Sequence, residues 1–322
     1  MSQKPNNWNR FIANYGLLFA FVLAIIVFSL WSEHFLSWGN IQNILIQTTS
    51  LGVCAFGLTL IMMMGEIDLS YAGLTGLIGA VMLKMIMAGY SPIWVVLVCL
   101  AIGLASGLCI SILVVGFGMS SFMVTLAAWF IYMGLERYIG HGVTHWIYKY
   151  DESILQIVQG HVGPLPIPII VMLSLFLLCW LFQTRTRSGQ YILALGENIE
   201  AVKEVGLKAR FIKACTFVAA GLIFGLTGLI ETLRIGGSMV YSGRFLLVYA
   251  LGAVFLGSAA FKAGKYNFPG TLLGALFFYT IINGLTLNAV KFYYIPLVQG
   301  LFLILAVAIT TVKRGEIEQV QF

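Results

Sequence analysis

The chain has 322 residues, of which 60% are hydrophobic and 9% are charged, and its formal net charge is +6. An ordinary soluble domain carries about 25% charged residues, so a soluble fold of this length could not cover its surface with the polar side chains available. The composition therefore excludes a soluble protein and indicates one whose apolar surface faces lipid.

The apolar residues are grouped in stretches that meet or approach the ~20 residues that a helix needs to cross the hydrocarbon core. Because a backbone in lipid must satisfy its own hydrogen bonds, we expect an all-α integral membrane protein with a single transmembrane domain over residues 1–322. About ten crossings are predicted, with eight or nine as the alternative because the fifth and sixth stretches are short. In chain order the stretches are Tyr15–Trp31, Ile44–Met64, Leu69–Ala88, Ile93–Val115, Phe122–Leu135, Ile167–Phe182, Ala214–Leu233, Phe245–Ala260, Phe268–Leu287 and Ile295–Val312.

The basic residues predict that both chain ends lie in the cytoplasm, residues 1–14 as an N-terminal segment and residues 313–322 as a tail. Cytoplasmic segments carry an excess of Lys and Arg, and this orientation places 12 of the 18 inside and 6 outside. The net charge therefore reflects topology, and no nucleic-acid partner is expected. The inner set is Lys4, Arg10, Arg185, Arg187, Lys203, Lys208, Arg210, Lys213, Lys262, Lys265, Lys313 and Arg314, and the outer set is Lys84, Arg137, Lys149, Arg234, Arg244 and Lys291.

The five cysteines lie inside apolar stretches and form no Cys-x-x-Cys pair. We interpret them as small core residues, and we expect no metal site, disulfide or cofactor. They are Cys54, Cys99, Cys109, Cys179 and Cys215.

The second stretch ends in Gly65-Glu-Ile-Asp-Leu-Ser70, on the predicted inner side. Asp68 stands just before the third stretch, where it could act as an N-cap and accept backbone N–H bonds at the positive end of a helix. No role for Glu66 follows from its position. Polar groups at membrane depth are candidates for function, although an Asn there could equally bond a neighbouring helix. The candidates for a gate or translocation path are Gly65, Glu66, Asp68, Ser70, Asn283 and Asn288.

The fourth stretch contains Gly103-Leu-Ala-Ser-Gly107, a small-xxx-small step typical of close helix packing in membranes. Residues 136–166 then form a hydrophilic segment predicted to lie outside. It carries His141, His145 and His161, whose spacings match no standard zinc pattern. We interpret it as a solvated loop that contacts an external partner, with a zinc site as the alternative.

Residues 183–213 form the second hydrophilic segment, predicted to lie in the cytoplasm. A short helix over Glu197–Val205 is expected there, since Asn198 suits an N-cap, Glu200 suits the first turn and Gly206 suits the C-terminal stop. Its apolar positions recur every three residues and could form one buried stripe. The alternative is an interfacial turn that contacts lipid headgroups only. The stripe residues are Ile199, Val202 and Val205.

Glu231 lies near the outer end of the seventh stretch with Arg234 three residues later, which favours a local ion pair over a proton-carrying carboxylate. The same stretch ends in Arg234-Ile-Gly-Gly-Ser238. A glycine-and-charge break ends the second stretch too, on the opposite face. This pair of breaks suggests an inverted repeat of two five-helix halves.

The motifs of catalysis are absent from the sequence. There is no Gly-x-x-x-x-Gly-Lys-Ser/Thr phosphate loop, no His-Glu-x-x-His and no Gly-x-Ser-x-Gly. We therefore expect a protein that is not an enzyme, and any ATP hydrolysis that drives transport would take place on another chain.

Four segments resemble the ribose-type permeases, the membrane subunits of bacterial ABC importers for monosaccharides. Residues 57–70 are similar to that family's G-M-T-x-V-I-x-x-G-G-I-D-L-S, and Ser121–Leu126 to P-x-F-I-V-T-L. Residues 186–207 are similar to T-x-x-G-R-x-x-Y-A-I-G-x-N-x-x-A-A-x-x-S-G-I, and residues 268–288 to the closing G-T-x-x-G-A…N-G-L. The resemblance extends over about residues 40 to 312. Two positions depart from the pattern: Glu66 replaces a glycine, and residues 258–267 lack a glycine-rich run.

The resemblance implies a permease in the bacterial inner membrane that works as a homodimer or heterodimer. Its further partners would be two cytoplasmic ATP-binding subunits and an external solute-binding protein, and its solute a monosaccharide such as ribose or another pentose. It also implies that the short cytoplasmic helix couples the permease to the ATPase. The residues carried over to that coupling helix are Gly196, Glu197, Asn198, Glu200, Ala201, Val202, Val205 and Gly206. The alternative is a stand-alone secondary transporter or facilitator that uses Glu231; a channel has no supporting motif.

Overall fold

The computed structural model describes residues 7–149, 160–261, 264–301 and 304, and this part of the chain is mostly helical. Part of the predicted external loop, most of the tenth stretch and the C-terminal tail lie outside the described residues. So do the basic residues Lys4, Lys262, Lys313 and Arg314.

The helices follow one another with short connections. They are α1 Asn7–Trp31, α2 Trp38–Met63, α3 Ser70–Met87, α4 Pro92–Ser111, α5 Ser121–Gly140, α6 Ile167–Arg185, α7 Arg187–Glu197, α8 Ile199–Glu204, α9 Ala209–Ile235, α10 Arg244–Ser258 and α11 Phe268–Leu287. A π-helical turn, Ile112–Gly116, continues α4, a 3-10 turn covers Ile147–Lys149, and residues 294–301 are again helical.

Four two-residue strands complete the described structure. They are β1 His145–Trp146, β2 His161–Val162, β3 Leu165–Pro166 and β4 Gly237–Ser238. Strand β1 pairs antiparallel with β4, with His145 opposite Ser238, and β2 pairs with β3. The segment after α5 is therefore tied to the segment after α9.

Six of the described helices are long and apolar enough to cross a membrane by length and composition. They are Trp38–Met63, Ser70–Met87, Pro92–Gly116, Ile167–Arg185, Ala209–Ile235 and Phe268–Leu287. Tyr15–Trp31 and Arg244–Ser258 are apolar but shorter. The prediction of an all-helical membrane fold is confirmed, while the number of ten crossings stays a prediction.

Helices α2 and α9 form the centre of the bundle. Every residue from Thr48 to Met63 of α2 is buried, as expected for a helix that is apolar on all sides. Helix α9 packs on α3 and α4, while α2 packs on α10 and α11, and the two central helices also contact each other. Each central helix thus packs against two helices of the other half of the chain.

Helices α4 and α9 cross through glycines on both sides. A Cβ on Gly103 would lie 2.6 Å from the carbonyl oxygen of Gly221 and 2.7 Å from the Cα of Gly225. A Cβ on Gly107 would lie 2.6 Å from the carbonyl oxygen of Phe217. The two backbones are in direct contact, which confirms the small-xxx-small prediction for α4 and adds a matching pair of glycines on α9.

Helix α10 begins inside the bundle. Its 15 residues extend about 22 Å at 1.5 Å per residue, less than the ~30 Å of a hydrocarbon core. Its last turn lies against the start of α11, since a Cβ on Gly257 would overlap the backbone of Gly270. Its first residue is therefore about 20 Å from that end of the bundle. The stretch predicted as a full crossing, Phe245–Ala260, is a helix of about three quarters of the core thickness, preceded by the non-helical segment 237–243.

The cysteine prediction holds for three positions and is wrong for two. Cys54, Cys99 and Cys179 are buried, whereas Cys109 and Cys215 are exposed on α4 and α9. A helix in a lipid-facing bundle is apolar on its outer side as well as its inner side, so an apolar stretch does not separate core positions from surface positions.

Candidate functional site

The second hydrophilic segment, residues 183–213, contains a short helix with the predicted start and stop. Asn198 is the N-cap of α8, and its Oδ1 accepts a hydrogen bond from the backbone N–H of Ala201 at 3.0 Å. Glu200 lies in the first turn and forms an exposed ion pair with Lys203. Gly206 follows the helix with φ of +78°, the left-handed conformation that favours glycine after a helix end. These signals are confirmed.

A second helix, α7, precedes this one and was not predicted. Thr186 caps it by accepting from the backbone N–H of Gly189 at 3.1 Å. Glu197 therefore ends α7, whereas the sequence interpretation placed it at the start of the coupling helix. The cap residue Thr186 followed by a run with helical periodicity was the available signal for this helix.

The predicted stripe of three apolar residues is reduced to two. Val202 is buried and Ile199 partly buried, but Val205 is 73% exposed. Val205 occupies the C-cap position, so it no longer follows the helical face. Ala201 is exposed, as a residue that contacts another subunit would have to be.

The end of α7 lies directly on the end of α2. A Cβ on Gly196 would overlap the carbonyl oxygen of Met63 and would lie 3.2 Å from the backbone nitrogen of Gly65. Only glycine allows this approach at position 196. A cavity of about 490 Å³ opens beside the contact, lined among others by Glu66 and Lys265. Helix α7 is therefore in backbone contact with the segment that contains most of the gate candidates.

Glu66 connects three parts of the chain, a role that its sequence position did not reveal. Its Oε1 lies 2.5 Å from Nζ of Lys213 in α9, and its Oε2 accepts a hydrogen bond from Oγ of Ser121 at 2.6 Å. The side chains of Glu66 and Lys213 are each 20% exposed. The partners are 55 and 147 residues away in sequence, so no local pattern could have identified them.

Asp68 accepts a backbone hydrogen bond at the start of α3. It lies one residue before the N-cap, the position that was predicted for it. Its Oδ1 accepts from the N–H of Ser70 at 2.7 Å, and Asp68 is 2% exposed. The N-cap position itself belongs to Leu69, whose N–H donates to Oγ1 of Thr125 at 3.1 Å. The segment before α3 is thus held by one carboxylate and one hydroxyl.

The two asparagines of α11 lie away from these residues. Asn283 and Asn40 exchange two amide hydrogen bonds of 3.0 and 2.9 Å, which join α11 to the start of α2. Asn288 is the C-cap of α11 and donates to the carbonyl oxygen of Gly284 at 2.8 Å. Both make helix contacts of the ordinary kind, and the structure does not bring them together with residues 65–70.

Glu231 forms the predicted ion pair with Arg234. The guanidinium donates to both carboxylate oxygens, at 3.0 and 2.9 Å, and its Nε also lies 3.3 Å from Oγ of Ser50. The Glu231 side chain is 7% exposed and the Arg234 side chain is 21% exposed, so the carboxylate is enclosed more fully than its partner. Helix α9 extends two residues beyond the apolar stretch, and the contact with Ser50 ties the pair to α2.

Glu136 is a buried carboxylate that was not predicted, because the fifth apolar stretch was predicted to end at Leu135. Helix α5 continues through Gly140, so Glu136 lies inside it and the segment predicted as an external loop from 136 begins after it. Glu136 is 5% exposed, and its Oε1 accepts from the backbone N–H of Tyr241 at 3.0 Å.

Residues 40–307 match the family described as the branched-chain amino acid transport system / permease component. The chain belongs to this permease family. It is 29% identical to the D-allose transport system permease protein AlsC of Escherichia coli (strain K12) over 95% of this chain and 94% of that protein. It is 30% identical to the ribose import permease protein RbsC of the same organism over 92% of this chain and 93% of that one.

The ribose import permease protein RbsC of Bacillus subtilis (strain 168) is 29% identical over 97% of both chains. No solved structure matches. The family is a component of a transport system, so the resemblance to ABC importer permeases is confirmed and a stand-alone transporter is not supported. The protein is a permease subunit of the bacterial inner membrane and not an enzyme. Permeases of this family associate with ATP-binding and solute-binding components.

Proposed function

We propose that this protein is the membrane subunit of an ABC importer that moves a monosaccharide into the cytoplasm, with ribose or another pentose as the first solute to test. The relatives that match nearly the whole chain are named for ribose and D-allose, which supports a sugar over the amino acids named in the family description. D-allose is a hexose, so both a pentose and a hexose belong in the test.

The proposed topology has ten membrane segments, both ends in the cytoplasm and two inverted halves. The reciprocal packing of α2 and α9 supports the repeat. So do the ends of these helices, since Gly65 and Gly236 follow them with φ of +81° and +75°. In this arrangement α10 and segment 237–243 together make one crossing. A cysteine placed at Val143 should react with an impermeant maleimide from outside and one at Glu200 should not; the reverse pattern would exclude this orientation.

The proposed coupling element is the pair α7–α8. The observation that carries it is the contact of Gly196 with the carbonyl of Met63, which leaves no side chain to deform between the cytoplasmic helices and α2. An ATP-binding subunit that pushes on the exposed face around Ala201 would therefore displace the end of α2. The residues assigned to this element are Gly196, Glu197, Asn198, Glu200, Ala201, Val202, Val205 and Gly206.

The proposed gate is the segment from Gly65 to Ser70. It includes Glu66 and Asp68, follows α2 directly and borders the 490 Å³ cavity on the same side as α7. The pairing of Glu66 with Lys213 supports this assignment because it ties the segment to the start of α9. Asn283 and Asn288, at the far end of α11, are outside this gate and serve to hold helices.

The proposed assembly contains a second permease subunit, two cytoplasmic ATP-binding subunits and an external solute-binding protein. The coupling element would contact the ATP-binding subunits, and the part of the chain between α5 and α6 would face the solute-binding protein. Whether the two permease subunits are identical is answered by the mass of the purified complex.

Replacing Ala201 with Arg tests the coupling proposal. The charged side chain should prevent α8 from entering a tight groove, so uptake of D-ribose or D-allose and stimulation of the ATPase should both fall at least tenfold. Membrane insertion should be unchanged because the residue is exposed to the cytoplasm. Ala201→Ser keeps the side chain small and is the matched control, expected to transport normally. Normal pull-down of the ATP-binding subunit together with normal uptake by Ala201→Arg would refute the assignment.

A further inference from the structure

A second cavity, of about 330 Å³, lies between α3, α5 and the start of α10. We call it the α10 cavity. Its walls combine aromatic and apolar side chains with one carboxylate and two guanidinium groups, the mixture found in sites for small polar ligands. The residues used below are Trp129, Glu136, Arg137, Tyr241 and Arg244. None of them belongs to the proposed gate or to the coupling element.

The carboxylate of Glu136 is only partly satisfied by the protein. Oε1 accepts from the N–H of Tyr241 at 3.0 Å, whereas Oε2 has no hydrogen-bond partner among the described residues. The residue is 95% buried and lines the cavity. This oxygen reaches the cavity and is not sealed inside the protein, so it is available for a donor that enters the cavity.

Two glycines of α3 make room for this wall. A Cβ on Gly76 would lie 2.6 Å from Cδ and Oε2 of Glu136, and a Cβ on Gly73 would lie 2.6 Å from the carbonyl oxygen of Trp129. Both distances are too short for any side chain. The bare surface of α3 at these two positions therefore allows the carboxylate and the indole to pack beside α3.

The opposite wall is held in a strained conformation. Tyr241 has φ of +66°, which is rare for a bulky residue and occurs mainly where a site requires it. Glu136 accepts a hydrogen bond from the backbone N–H of Tyr241. Arg137 donates to the Tyr241 hydroxyl, and its guanidinium carbon lies 4.5 Å from the centroid of the tyrosine ring. The guanidinium groups of Arg137 and Arg244 belong to residues that are exposed on the surface of the single chain.

The depth of the cavity in the membrane decides whether these exposed guanidinium groups would face lipid. A Cβ on Gly228 would lie 2.7 Å from Ile78, so these two residues lie at the same depth in the bundle. Counted at 1.5 Å per residue from Ala209, both are about 28 Å from the cytoplasmic end of α9. Ala72, six residues earlier in α3, is then at about 20 Å, half the ~40 Å length of α9. Arg244 follows Gly243, whose Cβ would overlap the carbonyl of Ala72.

Arg244 therefore lies near mid-depth of the membrane, where an exposed guanidinium facing lipid is strongly unfavourable. Non-helical backbone such as segment 237–243 is likewise tolerated at that depth only inside protein or beside a water-filled cavity. The start of a helix at mid-depth, after a non-helical break, is also where transporters of inverted-repeat architecture bind their solute. The α10 cavity must open toward water or toward a second subunit.

We propose that the α10 cavity is a binding subsite for the hydroxyl groups of a neutral monosaccharide on its way through the membrane. Each sugar hydroxyl both donates and accepts, so it can donate to Oε2 of Glu136 while neighbouring hydroxyls accept from Arg137 and Arg244. The apolar face of the sugar ring would contact Trp129. This subsite rests on the proposed function for its choice of a sugar, but its residues are separate from those that the coupling test changes.

The test uses the purified full-length permease in lipid nanodiscs, titrated with D-ribose, D-allose and L-leucine up to about 50 mM, which detects a Kd near 1 mM. Tryptophan fluorescence reports occupancy near Trp129. A saturable change is expected with a sugar and should vanish in Trp129→Phe. Glu136→Gln should weaken it by about tenfold or more, while its amide oxygen can still accept from Tyr241. Glu33→Gln, the same change at an exposed position, should bind normally.

Uptake by the assembled importer separates this proposal from the proposed function. An increase in KM for sugar uptake by Glu136→Gln, with an unchanged melting temperature, supports the subsite. Normal sugar uptake by Glu136→Gln with a wild-type KM overturns the subsite and leaves the importer intact. Saturable binding of L-leucine without binding of either sugar overturns the sugar assignment of both. Absence of any saturable change in the wild-type permease overturns the subsite.

Discussion

The ion pair between Glu66 and Lys213 should stabilise the protein measurably, because it is short and mostly enclosed. Its atoms are 2.5 Å apart and each side chain is 20% exposed. At an effective dielectric constant of about 20 the gross attraction is roughly 7 kcal/mol, most of which is offset by desolvation and side-chain ordering. A hydrogen bond to a charged group retains about 1.5–3 kcal/mol, which is the expected loss for either single substitution.

A double-mutant cycle of Glu66→Gln and Lys213→Met measures the coupling directly. We expect the double variant to lose less than the sum of the single variants by about 1–2 kcal/mol, in free energies of unfolding from denaturant titration in mixed micelles. The pair Glu197–Lys265 is the matched control, since its atoms are also 2.5 Å apart but its side chains are 58% and 59% exposed. Its cycle should yield at most ~0.5 kcal/mol.

Additive losses at Glu66 and Lys213, within about 0.5 kcal/mol, would refute the argument that burial gives this pair its strength. Equal coupling in the two cycles would refute it as well, because distance alone would then account for both. A coupling confined to the Glu66 cycle should be accompanied by altered uptake, since breaking the pair frees the segment assigned to the gate.

Two further predictions concern the bundle itself. Replacing Gly107 with Ala should destabilise the protein by about 1–3 kcal/mol because the new methyl group meets the carbonyl of Phe217. Gly134→Ala, at a helical glycine with open space around its Cβ, should be neutral or stabilising, and equal melting temperatures for the two variants would contradict the packing argument. Glu231→Gln should leave the dependence of uptake on the proton gradient unchanged, because that carboxylate is paired with Arg234; a variant that loses a proton dependence present in the wild type would reinstate the secondary-transporter interpretation.

The sequence predicted the helical membrane fold and the ends of α8 because both depend on local chemistry. Apolar length determines which stretches can be crossings, and the caps Asn198 and Gly206 act within four residues of their partners. The interpretation failed where a contact joins distant parts of the chain. Glu66 and Lys213 are 147 residues apart, and Glu136 and Tyr241 are 105 apart.

Apolar length also misled the interpretation of α10. A stretch of the right composition was taken for a full crossing, and only the contact of Gly243 with Ala72 shows that the helix starts half-way. The stripe on α8 failed for a related reason, since a three-residue periodicity has no meaning beyond the residue where the helix ends.

The glycine crossing of α4 and α9 determines how movement can travel through this permease. No side chains lie between the two backbones at this crossing, so rotamer changes cannot let one helix slide or rotate against the other. The two helices must therefore tilt together as a rigid body. Helix α9 has 27 residues and is about 40 Å long. A tilt of about 5° about one end displaces the other end of such a rod by about 3.5 Å. A sub-ångström rearrangement near Lys213 could then become a displacement at Arg234 large enough to alter access from the far side.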